Sequence, residues 1–296
     1  MRVFERGWLS SNNILFLGRD LTALVDSGYV SHADQTLALV RYALAGRSLD
    51  LLLNTHLHSD HCGGNAILQK TYRCRTLIPA GEVDRVAAWR EDQLNHYLTG
   101  QRCDRFGFDS GLAAGDTVML GDLSWQALAA PAHDPHGLVL YCAREGILLS
   151  ADALWENGFG VIFPELEGEP GYGATRATLQ MIHNLELRLV IPGHGPPFSK
   201  VSDALARAWS RMDYLETDPA RTARHAIKVL LKFLLLEHQR IALASVAQRL
   251  ESIHFVREAN RRYLQMSAED LQQWAVTALI KSNAARLEND MLVNCT

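Results

Sequence analysis

The stretch Thr55-His56-Leu57-His58-Ser59-Asp60-His61 constrains this chain more than any other. It places three imidazoles and a carboxylate directly after the apolar run Leu51-Leu52-Leu53 and just before Gly63-Gly64-Asn65. A buried polar group without a hydrogen-bond partner costs about 1–3 kcal/mol. Four such groups at the end of a buried strand therefore need partners. A metal ion satisfies all of them together, because imidazole and carboxylate are ordinary ligands of zinc and its neighbours. Alternate residues share a face of extended backbone. His56, His58 and Asp60 then point one way, and His61 follows on the next turn.

The rest of the chain repeats this arrangement. Apolar runs read as strands at 13–17, 21–25, 49–53, 75–78, 117–120, 123–128, 138–142, 147–149 and 187–191. Gly18-Arg19-Asp20 is a hairpin signal between the first two. Four runs end in a candidate ligand: His56, His133, Asp152 and His194. A single strand-end histidine is usually a satisfied polar residue. Four strand ends, one with a dense cluster, point to one shared edge. Helical spacing marks 32–45, with Gly46 as its stop, and also 65–70 and 175–185. The polar segment 82–109, with Trp89, His96, Tyr97 and Cys103, reads as helical, either lying over a cleft or as a surface excursion. The glycine- and proline-rich segment 158–173 reads as a long loop carrying Phe159, Phe163 and Tyr172.

From residue 199 onward helical periodicity takes over and no strand pattern stands out. Helices are expected at 203–215, 220–237, 243–250 and 269–281. This divides the chain into residues 1–200 and a helical region, 201–296, able to form a winged-helix-like unit. His225, His238 and His254 lie there without partner clusters and read as structural or exposed. The apolar faces of these helices leave a homodimer open. The net charge of -4 leaves no basic footprint for nucleic acid, and Arg257, Arg261 and Arg262 form too short a cluster to change that. No apolar run approaches the roughly 18 residues of a membrane span; the stretch 229–236 is broken by Lys232. The N-terminus lacks the apolar core of a secretory signal. Five cysteines, an odd number at irregular spacing without CxxC, read as free thiols in the cytoplasm.

The cluster and its echoes resemble the metallo-β-lactamase superfamily of metallohydrolases. Its H-x-H-x-D-H signature is matched in full by His56, His58, Asp60 and His61, and its later ligands fall in order on His133, Asp152 and His194. The resemblance covers residues 10–200. It implies an α/β fold, a four-layered αβ/βα sandwich, with the C-terminal helices as an appendage. It also implies two divalent metal ions, zinc by default, with iron or manganese accepted by the same ligands. His56, His58 and His133 would hold one ion, Asp60, His61 and His194 the other, with Asp152 bridging. Seven ligands exceed what one tetrahedral zinc takes, whereas two ions about 3.5–4 Å apart can share a carboxylate and a hydroxide. That hydroxide would attack an acyl carbonyl of a small-molecule substrate. Asp60 and Asp152 would be catalytic, Asp60 by orienting the hydroxide or carrying its proton.

Departures from the family pattern narrow the choice of substrate. The usual H-T-x-G is replaced by His133-Asp134-Pro135-His136-Gly137. His136 could support a ligand, face the substrate or make a local hydrogen bond, and Asp134 could hold an imidazole. Cys62 reads as packed at a helix start or as redox-sensitive. True β-lactamases of the family generally lack the acid seen here as Asp152. Lactonases commonly carry a tyrosine three residues beyond it, where this chain has Trp155. Persulfide dioxygenases generally lack the pair corresponding to Asp60 and His61. Thioester hydrolysis of the glyoxalase II or acyl-CoA thioesterase kind therefore leads, with a lactonase or β-lactamase-type amidohydrolase as the alternative. Two other classes remain: an RNA-processing nuclease, without the basic exosite or inserted domain such enzymes carry, and a non-catalytic metal-binding regulator. Tyr97, His136, Trp155, Phe159 and Phe163 are candidate pocket walls, each equally readable as ordinary packing.

Overall fold

The computed structural model describes residues 1–295. Six strands form the first sheet in chain order: β1 (Arg2–Phe4), β2 (Asn13–Leu17), β3 (Thr22–Val25), β4 (Leu51–Leu53), β5 (Arg75–Pro79) and β6 (Ser110–Leu112). The first three are antiparallel, and β3 through β6 run parallel. The second sheet holds β7 (Thr117–Leu120), β8 (Leu123–Ala129), β9 (Leu138–Cys142), β10 (Ile147–Ala151) and β11 (Leu189–Pro192). Only the β10–β11 pair in it is parallel. The helices are α1 (Ala33–Leu44), α2 (Ser59–Cys62), α3 (Asn65–Tyr72), α4 (Val83–Ala88), α5 (Asn95–Leu98), α6 (Phe163–Glu167), α7 (Gly171–His183), α8 (Val201–Glu216), α9 (Pro219–His238), α10 (Val246–Ser252), α11 (His254–Ala259) and α12 (Ala268–Lys281).

Strand alternation builds the layers, because successive side chains take opposite faces. Phe16, Leu51 and Leu53 point between the sheets to meet Leu120, Trp125 and Leu140. Their neighbours Leu15, Leu24 and Leu52 point outward onto Val40, Leu44 and Leu68 of α1 and α3. On the other side Val139, Leu148 and Val190 pack against Leu179 and Ile182 of α7 and Leu205 and Ala208 of α8. Parallel strands need crossover helices and are covered on both faces, so the order helix, sheet, sheet, helix follows.

The structure departs from sequence expectation in several places. Segment 82–109 is not one long helical excursion. It holds α4, α5 and a short 3₁₀ turn at Glu91–Gln93, then irregular backbone. Trp89, in the left-handed region at φ 45°, ends α4 early. Segment 158–173 contains α6 and the start of α7, with Pro164 in the first turn of α6, where its missing N–H is harmless. Helix α1 stops at Ala45, one residue before the glycine, with φ 50°.

The C-terminal region is also not purely helical. It carries β12 (Arg240–Ala242), β13 (Ala285–Glu288) and β14 (Met291–Asn294) in an antiparallel sheet ordered β12-β14-β13. Strands of three or four residues are too short for alternation to stand out. Helix α9 starts at Pro219, with Asp218 accepting from the Ala220 N–H as its cap. Its buried face, Ala223, Ala226, Ile227, Leu230, Leu231 and Leu234, joins Phe163 and Leu166 of α6 and residues of α10 to α12 in one core. That shared core seats the C-terminal elements beside the strand edge carrying the histidines. Among the described residues all five cysteines are free, and no helix is long and apolar enough to cross a membrane.

Candidate metal centre

After β4 the chain turns through Asn54 and Thr55. Thr55 is pinned there, its backbone N–H and its hydroxyl donating to Asp26 at 2.9 and 2.8 Å. Asp26 closes the neighbouring parallel strand β3 with φ 58°, a left-handed conformation uncommon outside glycine. Its carboxylate also takes His61 Nδ1 at 2.8 Å. His58, extended at φ -67°, ψ 148°, precedes α2, and that single turn presents Asp60 and His61. His133 follows β8, and its Nδ1 lies 2.5 Å from the Val161 carbonyl. Asp152 follows β10 after a register irregularity between Leu149 and Ala151, with Ala151 at φ 45°. Such irregularities re-aim a side chain. His194 follows β11. Asn12 holds that end in place: its side chain donates to the carbonyls of Pro192 (2.9 Å) and Gly195 (2.7 Å). Gly193 is required by space, because a Cβ there would collide with Asp152 Oδ1.

All seven expected ligands converge. His56, His58 and His133 form one group of donor atoms, and Asp60, His61, Asp152 and His194 a second, each within 4.8 Å internally. Asp152 faces both. Its Oδ1 lies 3.4 Å from His61 Nε2, and its Oδ2 lies 3.4 Å from His133 Nε2. Asp60 Oδ2 lies 3.0 Å from His194 Nε2.

The donor set fits cations. Among the described residues, Nε2 of His56, His61 and His133 is buried without a hydrogen-bond partner, an arrangement proteins avoid unless something else satisfies those atoms. Among the described residues, Asp26, Asp60 and Asp152 meet only histidines at ion-pair distance, and no lysine or arginine. Burial, then the neighbouring imidazoles, pushes His56 and His58 well below the usual histidine range. Burial also pulls His61 down, but Asp152, Asp26 and Asp60 outweigh it and hold its pKa well above that range. Burial would raise Asp152, yet His194 and His61 hold it well below the usual carboxylate range. The second group thus concentrates negative charge that a buried cation would balance.

Two cavities open on this centre. One of about 730 Å³ reaches His58 and His133 and is lined by Leu57, Val86, Trp89, Phe106 and Phe255, with Glu82, Asp134, Glu167 and Glu169. The other, about 500 Å³, reaches Asp60, Asp152 and His194 as well as His58 and His133, and is lined by Trp8, Trp155, Phe233, Arg211, His225 and Lys228. Phe163 lines both, edge-on to the His58 ring at 5.3 Å. Trp155 is where a pocket wall was expected, and its Nε1–H donates to Asp152 Oδ1 at 3.2 Å.

The remaining expected wall residues lie elsewhere. Tyr97 is 57% exposed and lines neither cavity, because the single turn of α5 turns Asn95 and Leu98 inward and Tyr97 out. Phe159 is buried in the core with Leu154 and Ile162, under the Arg211 guanidinium at 5.0 Å. The His136 ring rests against Gly81, with Nε2 3.7 Å from Glu82 Oε1. Asp134 lies 3.5 Å from His58 Nε2, the supporting position expected for it. Cys62 is buried, its sulfur 3.8 Å from that of Cys103. Asp26, Asn12, Trp8 and Arg211 were not anticipated. For Asp26 a signal existed: an acid ending the strand next to the one that carries the cluster.

Residues 6–194 match the family model described as Metallo-beta-lactamase superfamily. A hydroxyacylglutathione hydrolase of Synechococcus sp. (strain JA-2-3B'a(2-13)) is 30% identical over 170 residues, 57% of this chain and 58% of that protein. That of Chelativorans sp. (strain BNC1) is 27% identical over 163 residues, 54% of each. The chain spans about half the length of these curated relatives. A metallo-beta-lactamase family protein from Thermus thermophilus superposes with a TM-score of 0.55 at 19% identity, over 96% of this chain and 94% of that one. The BLEG-1 B3 metallo-beta-lactamase superposes with a TM-score of 0.55 at 21% identity, over 69% and 96%. At these identities the structural likeness is one of fold.

Proposed function

The chain belongs to the metallo-β-lactamase superfamily, and on that premise we propose that it is a two-metal hydrolase of acyl thioesters. The observation that carries this reading is Asp152, one oxygen turned to each group of donors. The relatives named hydroxyacylglutathione hydrolase support a thioester as the bond cleaved.

His56, His58 and His133 would hold one cation, and Asp60, His61 and His194 the other, with Asp152 between them. Two divalent ions, zinc being suited to a set of imidazoles and carboxylates, would supply Lewis acidity and a nucleophile ionised near neutral pH. Asp26, Thr55, Val161 and Asp134 orient the imidazoles from behind, as supporting partners of metal ligands do. Asp60 is engaged through Oδ2 with His194. Its Oδ1 is the atom we assign to hold the proton of the attacking water. A thiolate, whose conjugate acid ionises near pH 8.5, leaves without needing a proton. The cavities on either side of Phe163 would take the two arms of the substrate.

We assign residues 1–200 to the catalytic unit and 201–296 to an appendage with a winged-helix-like order of elements, supplying Arg211, Lys228 and Phe255 as cavity walls. Five free thiols suit a cytoplasmic setting.

Elemental analysis after loading with excess zinc, followed by a panel of thioester, lactone, β-lactam and phosphodiester substrates, tests this reading. The expected result is close to two zinc ions per chain and thioester cleavage that chelator abolishes and zinc restores. Phosphodiester cleavage without thioester turnover overturns the substrate, and a count near one ion per chain overturns the two-metal centre.

A further inference from the structure

Four of the five imidazoles at the centre have a polar partner on the nitrogen turned away from the cluster. Nδ1 of His56 lies 3.1 Å from the Thr55 hydroxyl, Nδ1 of His61 2.8 Å from Asp26, and Nδ1 of His133 2.5 Å from the Val161 carbonyl. Nε2 of His58 lies 3.5 Å from Asp134. Among the described residues His194 has no such partner. Its Nε2 faces Asp60, and its Nδ1 is buried and unpaired.

Its ring meets two indoles instead. Trp8 lies parallel to it, 10° between planes and 5.2 Å between centroids. Trp155 meets it edge-on at 81° and 5.5 Å, and the two indoles contact each other at 5.2 Å. Trp155 is itself anchored, its Nε1–H on Asp152 and its backbone N–H on the Gly158 carbonyl at 2.7 Å. Trp8 has no such anchor and belongs to none of the apolar clusters among the described residues. It is 57% exposed, so core packing does not account for its position.

We propose that Trp8 is a positioning residue for the second metal group, holding the His194 ring by stacking as polar partners hold the other four. This rests on the two-metal reading above. Offset stacking fixes the plane of one ring against another, and the edge of Trp155 limits sliding within that plane. Nε2 is thereby kept toward Asp60 although Nδ1 has nothing to hold it.

The test compares Trp8→Ala and Trp8→Phe with the wild-type chain in zinc and cobalt(II) titrations against a competing chelator, resolving the two ions. Melting curves check the fold. Supporting partners of metal ligands are worth about 10- to 100-fold in affinity. Trp8→Ala is expected to weaken the ion on the His194 group about tenfold or more and the other by less than about twofold, with Trp8→Phe recovering most of the loss. Unchanged affinities in a folded Trp8→Ala variant, or equal losses at both ions, overturn the proposal. A Phe variant as weak as Ala overturns the stacking role. A wild-type chain that binds no second ion ends this inference and the two-metal reading together, whereas two ions with Trp8→Ala unchanged ends this inference alone.

Discussion

The two flanks of the metal centre have opposite character. On one, an all-imidazole group opens on a cavity whose titratable lining is mainly acidic: Glu82, Asp134, Glu167 and Glu169, with Arg85. On the other, the group containing Asp60 and Asp152 shares its cavity with Arg211, His225 and Lys228. One cavity is walled mainly by carboxyl groups, the other by the Arg211 and Lys228 cations beside an unprotonated His225. The two cavities thus differ in the sign of the charge along their walls. In a low-dielectric pocket such an arrangement acts on any substrate spanning both sides.

The largest break in this contrast would come from Asp152, with one oxygen toward each group. Asp152→Ala should lower thioester kcat/KM by about a hundredfold or more, since losing a ligand costs at least as much as losing its support, and should leave about one zinc per chain by elemental analysis. Thioester turnover at the wild-type rate in that variant would remove Asp152 from the mechanism.

Asp26→Asn acts on the carboxylate-rich flank alone. It removes the charge behind His61 while keeping an acceptor for Thr55. Zinc affinity should fall about tenfold to a hundredfold at the second ion only, as chelator competition would show.

The flanks should also titrate in opposite senses. Burial first, and the Arg211 guanidinium second, push His225 down to about 3. Arg211 lies 2.6 Å from His225 Nε2, which must be unprotonated to accept from it. The folded state thus binds fewer protons than the unfolded chain, so this stability is present above pH 6.5 and lost on acidification. Between pH 6.5 and 5 the loss amounts to about 2 kcal/mol, at ~1.4 kcal/mol for each tenfold change in proton affinity. Urea unfolding of His225→Gln, which keeps an acceptor but does not titrate, should show a flatter acid limb.

On the other flank, burial first and Asp134 second push Glu82 up to about 7, against a pull from Arg85. Here the folded state binds more protons, so the stability is present below the ordinary glutamate range and lost as pH rises through 7. The smallest effect follows: from pH 6 to 7 the wild-type chain should lose about 1 kcal/mol that Glu82→Gln does not. Parallel pH curves for the wild-type and variant chains would show that Glu82 ionises normally and that this flank carries its full negative charge.

The readable part of the site was the part written along single strands. Four of the seven expected ligands close an apolar run and the other three follow the first of them within five residues, and a run that must be buried delivers its end to the edge of a sheet. The wall residues were less legible. Phe159 and Phe163 are four residues apart in one segment and both are buried, yet of the two Phe163 alone lines the cavities. Tyr97 faces solvent because a one-turn helix shows too little periodicity to orient it in advance. The strands β12 to β14 leave no mark in the sequence, because three or four residues carry almost no alternation.

By itself, then, the chain's order of residues settled which donor atoms exist, at which strand ends, and that the strands must be buried. These follow from periodicity and apolar content, which act over a few residues. Only tertiary structure decided that the donors separate into two groups with Asp152 between them, that Asp26 and Asn12 support them, and that Trp8 covers His194. Those contacts join residues far apart in the chain, and no local pattern encodes them. They exist because two sheets pack face to face and bring the loops at one edge within bonding distance.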